Sequence, residues 1–200
     1  MNVTSLTYDN RIVPLFYHPY NCGSINDVRT TERTVEIAIA LDFLSRCNDE
    51  IIEIGAVTPY YIPGIIKYVV DPTDKHALVS HHTSLFDFDI KGKNILSIST
   101  IEHIGKNDYG GVSAHENAIK ALNMILRKSL RCLITFPFGY NRDLDEYVMH
   151  SPFGKSINIV AFSRGQTCND WKAETRIHQL KNISYGPQWA NAVVVIEKFS

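Results

Sequence analysis

Short apolar runs bounded by turn residues alternate with helix-spaced segments from residue 35 to 136, and this alternation constrains the fold more than any other feature of the chain. TERTVEIAIALDFLSRC (31–47) places Ile37, Leu41 and Leu44 at 0, +4 and +7, one face of a helix. IIEI (51–54) reads as a short buried strand, and Tyr60–Ile66 as a brief helix broken by Pro63. KYVV (67–70) is the next strand and ends at Asp71-Pro72. NILSIS (94–99) follows. In SAHE, Ser113 and Glu116 have capping-box spacing before a helix that turns Ala118, Leu122 and Ile125 inward. RCLITF (131–136) is a strand stopped by Pro137, and INIVAF (157–162) and AVVVIE (192–197) complete the set.

Strands that alternate with helices predict right-handed βαβ units and a parallel sheet. The last two strands are separated by TCNDWKAETRIHQLKN, which allows only a short helix, so they are expected to pair antiparallel at the sheet edge. The expected class is α/β: a Rossmann-like, doubly wound, mostly parallel sheet with an antiparallel C-terminal edge. Residues 1–30 are polar and irregular, with Pro14, Pro19 and Gly23, and are expected to form an arm or lid. Residues 31–200 are expected to form a single domain.

Lys+Arg 20 against Asp+Glu 21 is a near-neutral balance, which argues against a protein whose main task is gripping nucleic acid. Cys22, Cys47, Cys132 and Cys168 include no CxxC pair, and the N-terminal residues show no apolar core flanked by positive charge. The thiols are therefore expected to be reduced and the location cytoplasmic. No apolar run approaches the ~18 residues of a membrane span. His81-His82 has no further ligands at metal spacing, so no metal is expected.

In open α/β sheets ligands sit at the carboxyl ends of strands, near the reversal of strand order. Glu53 and Gly55 stand at one such end, Asp71 at the next, and Ser97, Ser99, Thr100, Glu102 and His103 at another. A carboxylate such as Asp71 offers two acceptors in one plane, which suits the two hydroxyls of a ribose. The turn after IIEI lacks the second and third glycines of GxGxxG, so a pyrophosphate has no close backbone to lie against. This counts against a nicotinamide oxidoreductase. The expected ligand carries a ribose without a pyrophosphate.

Four stretches, EIGAVTPYY (53–61), VVDPTD (69–74), SISTIEHIG (97–105) and TFPFGYN (135–141), together with ERTVEIAIALDFL (32–44), resemble the class I S-adenosylmethionine-dependent methyltransferases, in a small branch of that family. The resemblance covers about residues 30–200 and implies S-adenosylmethionine as cofactor. It implies that Glu53, Gly55 and Ala56 lie against the methionine part and that Asp71 holds the ribose. Ser84 and Leu85, within Thr83–Leu85, would border the adenine. The chain departs from the family at Ser84, where an acid is usual, and Asp87 is the nearby substitute. Ser97 to His103, including Ser99 and Thr100, would form the floor beneath the sulfur and the acceptor.

Methyl transfer from a sulfonium is an in-line displacement, so alignment supplies most of the catalysis. A hydroxyl acceptor also needs a base, and His103 has the right chemistry, with Glu102 to orient it or bind the acceptor. A Glu-His pair after a strand can equally cap a turn, and Glu53 can equally cap a helix. Tyr140 and Asn141 are the polar handles of an acceptor pocket walled by Phe136 and Phe138, or else a loop that anchors its aromatics. Asp143 and Asp145 read as a solvated helix start, Trp171 and Trp189 as packing. Arg29, Glu32 and Arg33 either close over the cofactor or pair with each other. The expected function is methyl transfer to a small molecule or glycan, with a partner chain or a large acceptor completing the pocket. The alternative is a methyltransferase fold that has lost catalysis and serves as a binding subunit.

Overall fold

The computed structural model describes residues 5–17, 31–106, 116–165, 171–174, 177–186 and 190–199. Its described elements run β1 (Ser5–Tyr8), β2 (Arg11–Pro14), α1 (Arg33–Ser45), β3 (Ile51–Ile54), α2 (Thr58–Tyr61), β4 (Tyr68–Val70) and β5 (Asn94–Ile98). They continue with α3 (Asn117–Lys128), β6 (Arg131–Pro137), α4 (Arg142–His150), β7 (Ile157–Arg164), β8 (Trp171–Glu174) and β9 (Ala192–Lys198). The architecture is mixed α/β. Seven strands form one sheet in the order β4-β3-β5-β6-β9-β7-β8, and β1-β2 is a separate hairpin. Strands β4, β3, β5 and β6 are mutually parallel, while β9 lies antiparallel between β6 and β7.

Side chains alternate across each strand, so the inner strands of the sheet feed two cores. Ile52, Ile54, Ile95, Ile134 and Phe136 face Leu122 and Ile125 of α3 and Leu144 of α4. Ile51, Leu96, Ile98, Leu133 and Val195 face Val35, Ile39 and Phe43 of α1 and Tyr8 of the hairpin. Near-continuous apolar runs such as AVVVIE follow from this burial on both faces.

Four sequence expectations change at this level. The Ile37, Leu41, Leu44 stripe is not the buried face of α1. Every residue from Thr34 to Ala40 is buried, whereas Leu41 and Leu44 are half-exposed, because α1 lies between the sheet and the hairpin. The expected arm differs too, since within residues 5–17 a hairpin packs one side on the core. Leu6, Tyr8, Val13 and Leu15 are buried, and the Tyr8 hydroxyl donates to fully buried Glu197 of β9 at 2.5 Å. Arg46 donates to the other Glu197 oxygen at 2.7 Å.

The antiparallel pairing of the last two long strands holds, but not its place. β9 inserts beside β6, and β8, within the stretch expected to hold only a short helix, takes the edge. Trp171 is buried there against α1's core. The brief helix begins at Thr58, not Tyr60, with Pro59 in its first turn, where a missing N–H costs nothing. Glu116 precedes α3 without a side-chain capping bond. Ser113, Arg29, Trp189, Cys22 and Cys168 lie outside the described residues; Cys47 and Cys132 are free thiols. Among the described residues no helix is long and apolar enough to cross a membrane, and no group of three or more His, Cys, Asp or Glu is placed to hold a metal ion.

Candidate functional site

Chain order reverses between β3 and β5: the chain leaves β3 for β4 on one side and returns to β5 on the other. A cleft of about 670 Å³ opens at the carboxyl ends of these strands. Gly55, Ala56, Asp71, Ser84, Leu85, Ser99, Thr100 and His103 all line it. Glu53, Glu102, Tyr140 and Asn141 do not.

Glu53 is the clearest reassignment. It sits on the α1 side of β3, fully buried, and its carboxylate accepts from Val57 N at 3.1 Å and Thr58 N at 2.8 Å. The Thr58 hydroxyl donates to its second oxygen. Glu53 therefore caps α2 and holds the 54–58 turn, which forms the cleft wall. Burial pushes its carboxyl up to about 7, against the pull of the Thr58 and Val57 donors. Gly55 has φ +87°, and its amide donates to Val70 O at 2.9 Å. The group that approaches the glycine is the Thr100 side chain.

Asp71 spends one carboxylate oxygen on its own loop. Oδ1 accepts from Thr73 N and Asp74 N, both at 2.8 Å, and from the Thr73 hydroxyl at 3.2 Å. Oδ2 accepts no bond among the described residues. An Asx-type turn thus orients the carboxylate of a residue that lines the cleft and leaves Oδ2 unbonded among the described residues. His81 supports the strand from outside, its carbonyl accepting from Asp71 N at 3.1 Å. Ser84 caps the single turn Leu85–Asp87, its hydroxyl accepting from Phe86 N at 3.2 Å. Leu85 is buried, Phe86 is 42% exposed at the rim, and Asp87 does not line the cleft.

At the end of β5 the two serines part. The Ser97 hydroxyl is fully buried and donates to Ile54 O at 3.1 Å. Ser99 adopts φ +38°, unusual for a residue with a Cβ, and its hydroxyl donates to Glu36 Oε1 at 2.7 Å. Thr135 donates to the same oxygen at 2.9 Å, and Arg33 Nη1 to Glu36 Oε2 at 2.5 Å. Glu36 thus ties α1 to the ends of β5 and β6 and fixes Arg33 in the cleft wall. Sequence reasoning passed over Glu36, although an acid inside the apolar run VEIAIAL was a signal. Glu32 does not pair with Arg33 by hydrogen bond; it accepts from Ala190 N at 3.1 Å.

His103 faces the cleft, and its Nδ1 shares a hydrogen bond with the Tyr140 hydroxyl at 3.0 Å. Its Nε2 lies 3.6 Å from Glu102 Oε1, beyond a good hydrogen bond. Glu102 is fully buried, neither oxygen has a hydrogen bond among the described residues, and burial raises its carboxyl well above the ordinary range, reinforced by Glu36. Tyr140 reaches the site through His103 and Lys106: the Lys106 ammonium donates to Tyr140 O at 2.6 Å and lies 3.9 Å over its ring. Asn141 is a helix cap, accepting from Leu144 N at 3.2 Å and donating to Glu102 O at 2.9 Å. Asp145 is buried, not solvated, and accepts from Gly139 N at 2.9 Å. Burial lifts its carboxyl to about 7.

No protein-family model matches the chain, and no curated protein does. A solved structure described as "Structure of the Pnkp1/Rnl/Hen1 RNA repair complex" aligns at a TM-score of 0.44 and 12% identity, over 86% of this chain and 42% of that one. The match spans less than half of that protein's length.

Proposed function

We propose that the chain is a methyltransferase that binds S-adenosylmethionine in this cleft and methylates a small molecule or glycan. The observation that carries the reading is the joint exposure of Gly55 and Asp71, at the ends of adjacent parallel strands, to one cleft at the reversal of strand order. The strand order, with helices against both faces of the sheet, supports a Rossmann-like, doubly wound assignment. The residues present suit the cofactor: Asp71 keeps an oxygen for ribose hydroxyls, and Leu85 and Phe86 give an apolar wall beside it for a base.

Bound S-adenosylmethionine supplies a methyl group already activated on a positively charged sulfur. The protein's share is to orient and to move a proton. Ser99 and Thr100 form the floor that fixes the approach. His103 takes the proton of a hydroxyl acceptor, and Tyr140 holds the ring through Nδ1.

A second reading, a binding subunit without catalysis, is favoured by Ser84, whose hydroxyl is spent on Phe86 N and offers no carboxylate to a base. Titration calorimetry with S-adenosylmethionine tests the methyltransferase reading, and no heat with either it or S-adenosylhomocysteine refutes that reading but not the second. Formation of S-adenosylhomocysteine with hydroxylated acceptors then separates them.

A further inference from the structure

Among the described residues, Lys106 is a cation of the cleft without an ion pair. It closes the segment His103, Ile104, Gly105, Lys106, which follows β5 and lines the cleft throughout. The Lys106 amide donates to His103 O at 3.0 Å, so the two residues stand one turn apart. The half-buried ammonium is seated, not loose. It donates to Tyr140 O at 2.6 Å and lies 3.9 Å over the Tyr140 ring. That ring packs on His103, with centroids 4.6 Å apart, and edge-on against Tyr185 at 5.3 Å. An ammonium carries three N–H donors, and the Tyr140 carbonyl takes one. Gly105, beside it, has an amide with no acceptor among the described residues.

The other charges of the cleft are spent or stand elsewhere. Arg33 is paired with Glu36 at 2.5 Å. Asp145 feels the Lys106 charge, but its carboxylate accepts from Gly139 N and forms no ion pair with Lys106. Asp71 and Asp74 follow β4, whereas Lys106 follows β5, with β3 between them. Two strand spacings are about 10 Å. Lys106 therefore belongs to the His103 end of the cleft, away from the two acids. A half-buried ammonium is screened less by water and salt than one on an open surface, so its pull on an anion is stronger there.

We propose that Lys106, seated on Tyr140, recognises an anionic group of the methyl acceptor, so that the acceptor is a hydroxyl compound with a carboxylate or phosphate close to that hydroxyl. A hydroxy acid, a uronic acid or a sugar phosphate fits; a neutral sugar does not. The inference rests on the methyltransferase reading and names the acceptor class for it. Charge-assisted hydrogen bonds of this kind are stronger than neutral ones.

The test uses the intact chain saturated with S-adenosylhomocysteine and follows its backbone amide signals by NMR during titration with glucuronate, glucose 6-phosphate or glucose. At least one of the two anions is expected to shift the Gly105 and Lys106 signals and to bind at least about tenfold more tightly than glucose. Which anion does so tells carboxylate from phosphate. In Lys106→Met the preference over glucose collapses to near unity, while S-adenosylhomocysteine binds as in wild type, which also shows the cleft still folded. Lys106→Arg keeps the charge and is expected to keep part of the preference. Wild-type binding of neither anion better than glucose, or a preference that survives in Lys106→Met, would overturn the proposal and leave the cofactor reading standing. So would a loss of S-adenosylhomocysteine affinity in Lys106→Met, which would put the lysine on the cofactor instead. A wild-type chain that does not bind S-adenosylhomocysteine removes the cofactor reading and this proposal with it.

Discussion

A Cβ placed on Gly55 would lie 2.0 Å from the Thr100 hydroxyl oxygen, so the turn after β3 and the turn after β5 interlock at one glycine. The backbone there is also left-handed, φ +87°. Gly55→Ala should therefore destabilise the fold by at least about 2 kcal/mol, from the clash and the φ penalty together. Gly55→Ala with Thr100→Gly removes the clash but not the φ penalty and should recover only part of that loss. Urea unfolding of the single and double variants measures both.

The hairpin's place in the core is tested at Tyr8. Its hydroxyl is the 2.5 Å donor to buried Glu197, and Tyr8→Phe leaves that oxygen without it. The expected cost is about 1–3 kcal/mol, because a buried charged acceptor loses a partner while the ring packing persists. A detachable arm would make the substitution neutral in chemical denaturation.

Stability should depend on pH through Asp145. Burial raises its carboxyl from 3.8 to about 7, so the folded protein holds this proton more tightly than the unfolded chain does. The stabilisation is complete below about pH 4 and is lost as pH rises through about 7. Asn at this position still accepts from Gly139 N but cannot ionise. The stability of Asp145→Asn minus that of wild type should therefore grow by roughly 2–4 kcal/mol between pH 4 and pH 8. A flat difference across that range would contradict the assignment. Glu53, raised to about 7, acts with the same sign and is common to both proteins.

Asp71→Asn separates the two oxygens of one side chain. An asparagine carbonyl can keep the bonds from Thr73 N and Asp74 N, which Oδ1 accepts now, while its amide cannot accept from a ribose hydroxyl. Unfolding free energy should change by less than about 1 kcal/mol, while affinity for S-adenosylhomocysteine falls about tenfold or more. Calorimetry alongside denaturation distinguishes a ligand contact from a loop support.

Much of the sheet was legible because burial on both faces writes strands as plain apolar runs. β3, β5, β6, β7 and β9 all appear within two residues of their expected bounds. β8 was not legible, since WKAE on an edge is mostly polar and only Trp171 faces a core. Likewise the hairpin at Ser5–Pro14 hides its pattern in short strands, with Leu6, Tyr8 and Val13 the buried positions.

For the site, the chain's own order of residues placed Gly55, Asp71, Ser99, Thr100 and His103 at strand ends and following turns, and these meet at one cleft. That much follows from local periodicity, which says where each strand stops. Which acid turns outward and which turns inward does not follow from it. Glu53 and Asp71 both stand near the ends of apolar strands, yet Glu53 is sealed by bonds from Val57 and Thr58 while Asp71 lines the cleft. Glu36, an acid in the first turn of α1 and a misfit in the apolar run VEIAIAL, gains its partners Ser99 and Thr135 only when the sheet brings them together. Side-chain identity and spacing are local properties of a chain; the partners that decide a buried carboxylate's role are long-range contacts, and only the folded packing supplies them.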